Sequence, residues 1–276
     1  MDEPRPASRT AVGVAALRAV HQRRDGSPKV LDDPIAEALI GPEALARVLA
    51  DDGLYSSPAM RGLRSHVVLR SRFAEDCAEA AVRRGVRQLV MLGAGFDSFA
   101  YRQPGWARAL RIFEVDHPES QRLKRDRLAA AGIAIPENLA FVPADFERRS
   151  LREILAASAL DFAAPAIFSC LGVLVYLERP AIEALFRLVA SFPAGSELVA
   201  TFTSSERVAG SAARAAAGGE PWLSRMDAAE IRSELLRCGF RGVEVLEPED
   251  AARRYFSGRS DGLSAPPRAS IARATV

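Results

Sequence analysis

Apolar residues keep helical spacing through residue 85, and from Gln88 the period changes to short apolar runs separated by amphipathic segments. In the first part, Ala11, Val14, Ala15, Leu17 and Arg18 share a helical stripe. Asp33-Pro34 opens a second helix that runs through Ile40 and breaks at Gly41-Pro42, with Pro34 in its first turn. A third, longer helix is predicted from Arg61 to Arg84, with Leu63, Val67, Arg70, Phe73, Cys77 and Ala81 along one side. The second part predicts strands at Leu89–Leu92, Leu110–Val115, Leu139–Val142, Ala166–Cys170, Glu197–Phe202 and Val243–Leu246. A late strand at Ser270–Ala274 is placed antiparallel to the Val243 strand. Helices are predicted between them at Pro118–Ala131, Arg149–Ser158, Arg179–Ser191 and Asp227–Cys238, the last with Asp227 and Glu230 at capping-box spacing. This alternation predicts an α/β fold with a seven-stranded, mostly parallel sheet, covered by helices on both faces, whose ligands bind at the carboxyl ends of the strands. An N-terminal helical extension, residues 1–85, is expected to cap the pocket of a core spanning residues 86–276. Ser204–Gly219, rich in Ala, Gly and Ser, reads as a cover loop.

The chemistry concentrates where the first strand ends. QLVMLGAGFD, Gln88 to Asp97, is an apolar run closing in Gly93-Ala94-Gly95, and RIFEVD, Arg111 to Asp116, ends the next strand in a carboxylate. Glycines let a backbone approach a ligand, and an acid on the neighbouring strand accepts hydrogen bonds from ribose hydroxyls. Both features suit a nucleoside-containing cofactor. A dinucleotide wants a third glycine and a phosphate on the helix N-terminus, but Ser98 stands at that position and Asp97 repels phosphate. A cofactor with a cationic amino group and no phosphate, such as S-adenosyl-L-methionine, tolerates Asp97. Glu114, two residues before Asp116 and on the same strand face, is the rival ribose acid but lies farther from the strand end.

At 276 residues with 49% hydrophobic content the chain can bury a full core. The formal charge of +2 gives no electrostatic footprint for nucleic acid. Cys77, Cys170 and Cys238 are odd in number and set in apolar surroundings, which reads as buried thiols in a reducing compartment. His21, His66 and His117 have no metal-ligand spacing, so no metal is expected. MDEPRPASRT has no apolar signal segment and no apolar run reaches membrane-spanning length, so a cytoplasmic location is expected.

Seven segments in order carry a wider likeness: SRTA at Ser8 to Ala11 with DDPIAE at Asp32 to Glu37; RSRFAED at Arg70 to Asp76; LGAGFDSFAYR at Leu92 to Arg102; EVDHPESQRLKRDRL at Glu114 to Leu128; FVPADFE at Phe141 to Glu147; LGVLVYL at Leu171 to Leu177; and RYFSGRSDGL at Arg254 to Leu263. In these the chain resembles the bacterial branch of the leucine carboxyl methyltransferase family of S-adenosylmethionine-dependent methyltransferases. The resemblance implies the class I methyltransferase (Rossmann-like) fold and S-adenosyl-L-methionine as cofactor. It also implies that Arg70 clamps the methionine carboxylate, that Gly93, Gly95 and Asp97 meet the methionine portion, and that Asp116 holds the ribose. Asp145 and Phe146 match the pair placed on adenine, Phe146 having plain core packing as its other role. Leu171 stands where many relatives carry a glutamate, and removes a carboxylate from the cofactor side of the pocket.

The implied reaction is in-line attack of an acceptor oxygen on a sulfonium methyl, which needs little acid–base machinery when the oxygen is a carboxylate. No catalytic residue is assigned. A hydroxyl acceptor would need a base, and His117, the histidine beside the cofactor segment, reads first as a cap or packing residue before Pro118. Tyr176 is a candidate substrate-side donor, and Arg9 and Arg102 are candidate cations near cofactor or substrate, with ion pairing as their other role. The expected activity is O-methylation of a small-molecule carboxylate or hydroxyl. Methylation of a protein or peptide C-terminal carboxylate, and a non-catalytic regulator that binds the cofactor, are the alternatives. Oligomeric state is not legible.

Overall fold

The computed structural model describes residues 9–144, 149–204, 213, 216–217 and 219–276. Seven strands form one sheet: β1 (Gln88–Leu92), β2 (Arg111–Asp116), β3 (Leu139–Pro143), β4 (Ile167–Cys170), β5 (Glu197–Thr201), β6 (Gly242–Val245) and β7 (Ile271–Thr275). Their order is β3-β2-β1-β4-β5-β7-β6. β7 runs antiparallel to both β5 and β6, and the other pairs are parallel. These are the seven segments expected from periodicity, with ends displaced by at most one residue.

Alternation along the strands sends side chains to two covered faces. Val90, Leu92, Phe113, Val115 and Phe168 pack beneath α7 (Leu151–Ala156), α8 (Arg179–Ala190) and α9 (Ala228–Arg237). Leu89, Met91, Ile112, Ile167 and Val199 pack on the other face against α5 (Pro58–Arg83). The capping box is present at α9, Asp227 and Glu230 each accepting from the other's backbone N–H at 2.8 Å.

The N-terminal segment is more finely divided than its pattern implies. α1 (Arg9–Arg24) and α2 (Ile35–Ile40) are followed by α3 (Pro42–Ala50) and α4 (Asp52–Tyr55). The break at Gly41-Pro42 is a corner between two helices: Gly41 takes φ +79°, open to a residue without a Cβ, and Pro42 starts α3. α5 begins three residues before Arg61, because Ser57 caps it by accepting from Met60 N–H and Pro58 fits its first turn. Ala15, Val20, Leu39 and Ile40 form a third cluster with Phe96 and with Leu128 of α6 (Pro118–Ala130). α1 is also tied to the turn after β1, since buried Arg18 donates to Asp33 at 2.7 Å and to the Phe96 carbonyl.

A second tie joins the loop after α1 to the Arg254–Leu263 segment. Asp261 accepts from Gly26 N–H at 2.7 Å, and Arg259 donates to the carbonyls of Pro28 at 2.6 Å and Gly26 at 3.0 Å. No helix among the described residues is long and apolar enough to cross a membrane.

Candidate functional site

The strand order reverses between β1 and β4, and at such a switch point the chain leaves adjacent strands in opposite directions, opening a crevice. A cavity of about 610 Å³ lies there, floored by Gly93–Asp97 after β1, Asp116 at the end of β2, Ala144 after β3 and Ser169, Leu171, Gly172 and Val173 around the end of β4. α1 and α5 close it from the N-terminal side through Ala11, Val14, Arg18 and Arg70.

The backbone turn at the cavity floor has no room for a side chain at either of its glycines. Gly93 has φ +66° and Gly95 φ +46°, both in the region that disfavours a Cβ. A Cβ on Gly93 would collide with Val173, and one on Gly95 would press on the Ala11 side chain at 3.2 Å. Asp116 faces Gly95 across the crevice. Its carboxylate accepts from Gly95 N–H and, at 2.6 Å, from His117 N–H, which fixes it at the cavity wall. Burial pushes Asp116 above the ordinary carboxylate range, against the lowering effect of those two amide bonds. Since only the ionised form presents both oxygens as acceptors, affinity for an adenosine cofactor is expected to fall as pH drops through this raised value. Titration calorimetry across the acid range reads it, and Asp116→Asn should flatten the profile.

Arg70 is half-buried in the cavity wall, and among the described residues its guanidinium has no hydrogen bond or ion pair. Neither Glu75 nor Asp76 engages it: Glu75 pairs with Arg102, and Asp76 with Arg72 at 2.8 Å. Burial and the nearby Arg18 charge pull Arg70 down to about 10, offset in part by Asp97 and Tyr176. A cation held in this way lacks an anion, and a carboxylate is the shape its planar fork receives.

Gly172 makes the fit tight. It has φ +78°, its N–H donates to Thr201 Oγ1 at 2.6 Å, and an added Cβ would sit 2.7 Å from Arg70 Nη1. Gly172→Ala is expected to push the Arg70 fork aside and weaken binding of a carboxylate-bearing cofactor about tenfold, with a stability cost of about 1–2 kcal/mol from the left-handed backbone. Calorimetry and thermal melting on the same sample read the two effects.

Of the expected site residues, Arg70, Gly93, Gly95, Asp97, Asp116, Leu171 and Tyr176 converge on this one cavity. Asp97 accepts from Phe99 N–H at 2.8 Å and so also orders the turn. Arg102 is not among the lining residues. Its side chain is 11% exposed and engages Glu75 and, at 3.5 Å, Asp33, so it is a buried network member and not a surface pair. Glu114 does not line the cavity either: it is 1% exposed and bound to Lys124 Nζ at 2.8 Å beneath the floor. Asp145, Phe146 and most of Ser204–Gly219 lie outside the described residues, as does the Arg9 side chain. His117 caps α6, its Nδ1 accepting from Glu119 N–H at 3.3 Å, so that nitrogen is already committed as an acceptor.

Arg18 and Gly172 were not anticipated as site residues. Arg18 had a signal, an arginine on the same helical stripe as Ala11, Val14 and Ala15. Gly172 had none, because its role depends on where Arg70 points. Burial pushes the Cys77 and Cys170 thiols up to about 12, which removes them as nucleophiles. A further cavity of about 500 Å³ lies beside the Arg259–Asp261 tie, but its Lys29, Arg72 and Arg259 cations are already spent on local partners.

Comparison with known proteins identifies the family. Residues 11–190 match the family described as leucine carboxyl methyltransferase. A Bacillus subtilis (strain 168) protein that carries the name S-adenosyl-L-methionine-dependent methyltransferase YktD is 32% identical, over 94% of each chain. A Frankia alni protein of the same designation is 34% identical over 81% of this chain and 79% of its own length. Among solved structures, a methyltransferase-titled protein from Thermobifida fusca superposes with a TM-score of 0.61 at 19% identity, covering 99% of this chain and 96% of that one. A DUF574 family protein from Streptomyces avermitilis gives 0.58 at 21% identity, covering 94% and 99%. These two likenesses concern the fold.

Proposed function

The chain belongs to the leucine carboxyl methyltransferase family, and from that premise we propose that it transfers a methyl group from S-adenosyl-L-methionine to an oxygen of a small molecule. Methyl transfer from S-adenosyl-L-methionine is the activity of the group; the oxygen acceptor and its small size are our reading. The observation that carries it is the Arg70 guanidinium, unpaired among the described residues, set beside a bare glycine turn with Asp116 across the crevice.

The residues present fit the cofactor. Arg70 would receive the methionine carboxylate, the Gly93–Asp97 turn the methionine backbone with Asp97 toward the ammonium, and Asp116 the ribose hydroxyls. When bound, the cofactor supplies an electrophilic methyl on a sulfonium: the acceptor oxygen forms the new C–O bond, the C–S bond breaks, and its electron pair returns to sulfur. The protein's part is to align and to exclude water. With a carboxylate acceptor no proton moves; with a hydroxyl acceptor one proton leaves the oxygen. The family's description, leucine carboxyl methyltransferase, favours the carboxylate. Residues 1–85 would act as the cap, and buried, unpaired Cys77, Cys170 and Cys238 suit a cytoplasmic setting.

Calorimetry with S-adenosyl-L-methionine, its demethylated product S-adenosylhomocysteine, and NAD tests the reading, followed by label transfer to carboxylic acids and phenols. Binding of the first two without NAD, and label on an oxygen, is the expected result. Binding of NAD alone would overturn it.

A further inference from the structure

Beyond the groups that meet the cofactor, the cavity wall changes character. Ala11 and Val14 of α1, Val173 and Leu177 around the turn after β4, and Leu223 supply the apolar lining together with Tyr176, Ala11 and Val173 being the ones that border the Gly93–Gly95 turn. Leu223 is 56% exposed, one of four large apolar side chains that stand out among the described residues. It is not loose. Its N–H donates to the Val175 carbonyl at 2.7 Å, and Ser224 N–H donates to the same oxygen at 3.2 Å. A leucine pinned by its own backbone against a cavity, with its side chain left in water, is a surface prepared for an apolar partner. The rim beyond carries two carboxylates, Glu178 and Glu220. Glu220 is anchored across the mouth, accepting from Thr10 N–H at 3.2 Å and from the Thr10 hydroxyl.

Resting on the cofactor assignment above, we infer that the methyl acceptor is a small molecule with an apolar alkyl or aryl body seated on Ala11, Val14, Val173, Leu177 and Leu223, whose far end, at the Glu178 and Glu220 rim, is neutral or cationic. The apolar wall contributes affinity in proportion to the carbon buried against it. The two rim carboxylates select by repulsion, since a negative tail would be brought against fixed negative charge as it loses water.

The test uses the whole protein loaded with S-adenosylhomocysteine and two probe series, 4-alkylphenols and 4-alkylbenzoates, with tails from ethyl upward. Calorimetry should show affinity rising about fourfold per added methylene until the wall is filled, in whichever series carries the preferred oxygen. A probe ending its tail in a carboxylate should bind at least tenfold more weakly than its methyl-ended match. Leu223→Glu should flatten the length dependence while leaving S-adenosylhomocysteine affinity unchanged, and that second reading shows the variant is folded. Affinity independent of tail length in both series, including no binding in either, overturns the inference, as does equal or tighter binding of the carboxylate-ended probe. Failure of S-adenosylhomocysteine itself to bind overturns the cofactor assignment and this inference with it.

Discussion

Replacing Arg70 by methionine is expected to weaken S-adenosylhomocysteine binding about 100-fold while leaving the melting temperature of the unliganded protein unchanged or raised. The two effects separate because this cation is unusual in its surroundings. Among the described residues it has no hydrogen bond or ion pair, and burial beside Arg18 holds it below the ordinary arginine range. An unpaired half-buried charge costs free energy in the empty protein, and methionine, of similar length, removes that cost while keeping the stem's packing. A bound carboxylate reverses the balance. Charge-assisted hydrogen bonds contribute roughly 1.5–3 kcal/mol each, so losing a bidentate pair corresponds to about two to four decades in Kd, and the half-exposed setting of Arg70 puts the loss at the lower end. Arg70→Lys, which keeps the charge and loses the fork, should fall between the two. Calorimetry and thermal melting on the same preparation decide the matter; an unchanged Kd, or a lower melting temperature with full affinity, would assign Arg70 to the scaffold.

Lys124→Met is expected to have the largest effect on stability, about 3–5 kcal/mol, as for other buried ion pairs that lose one partner. Lys124 and Glu114 are each 1% exposed and meet at 2.8 Å, Tyr101 OH donates to the same carboxylate at 3.2 Å, and the ammonium lies 5.1 Å from the Tyr101 ring centroid. Removing the lysine leaves the carboxylate buried without its counter-charge. In a chain of this size the melting temperature should fall by roughly 10 °C. The sign of the pH dependence identifies the cause. Burial already raises Glu114 above the ordinary carboxylate range, with Lys124 opposing. Without Lys124 it rises further, so the folded state of the variant binds a proton that the unfolded chain does not. Its deficit against the parent should therefore be full above the raised value and shrink as pH falls through it. Adding Glu114→Gln should restore part of the loss, and a deficit that is flat with pH would point to packing alone.

The same pair marks a boundary in what could be read beforehand. Glu114 and Asp116 share a strand face, so periodicity alone leaves both as ribose acids, and only distance from the strand end favours Asp116. In three dimensions α6 delivers Lys124 to Glu114, burying one acid while the other lines the cavity. Arg102 shows the opposite outcome: a residue that reads as a surface or site cation is drawn inward by Glu75 and Asp33, which belong to α5 and to the loop before α2. Gly172 is a glycine like several others until Arg70 is seen 2.7 Å from the Cβ it does not have.

Local pattern was enough to establish the seven strands, the helices between them, their alternation and the end of the sheet at which the cavity opens, though not the division of the N-terminal segment into α3 and α4. Helical and strand periods are set by backbone geometry, and a glycine turn with an acid on the next strand is contained in about thirty consecutive residues. Which charges face the cavity, and which cancel beneath it, was decided by residues far apart in the chain, as with Arg70 against Gly172 or Thr10 against Glu220. Packing alone determines whether such side chains meet a counter-charge or a ligand, and no stretch of sequence short enough to read as a motif contains both partners.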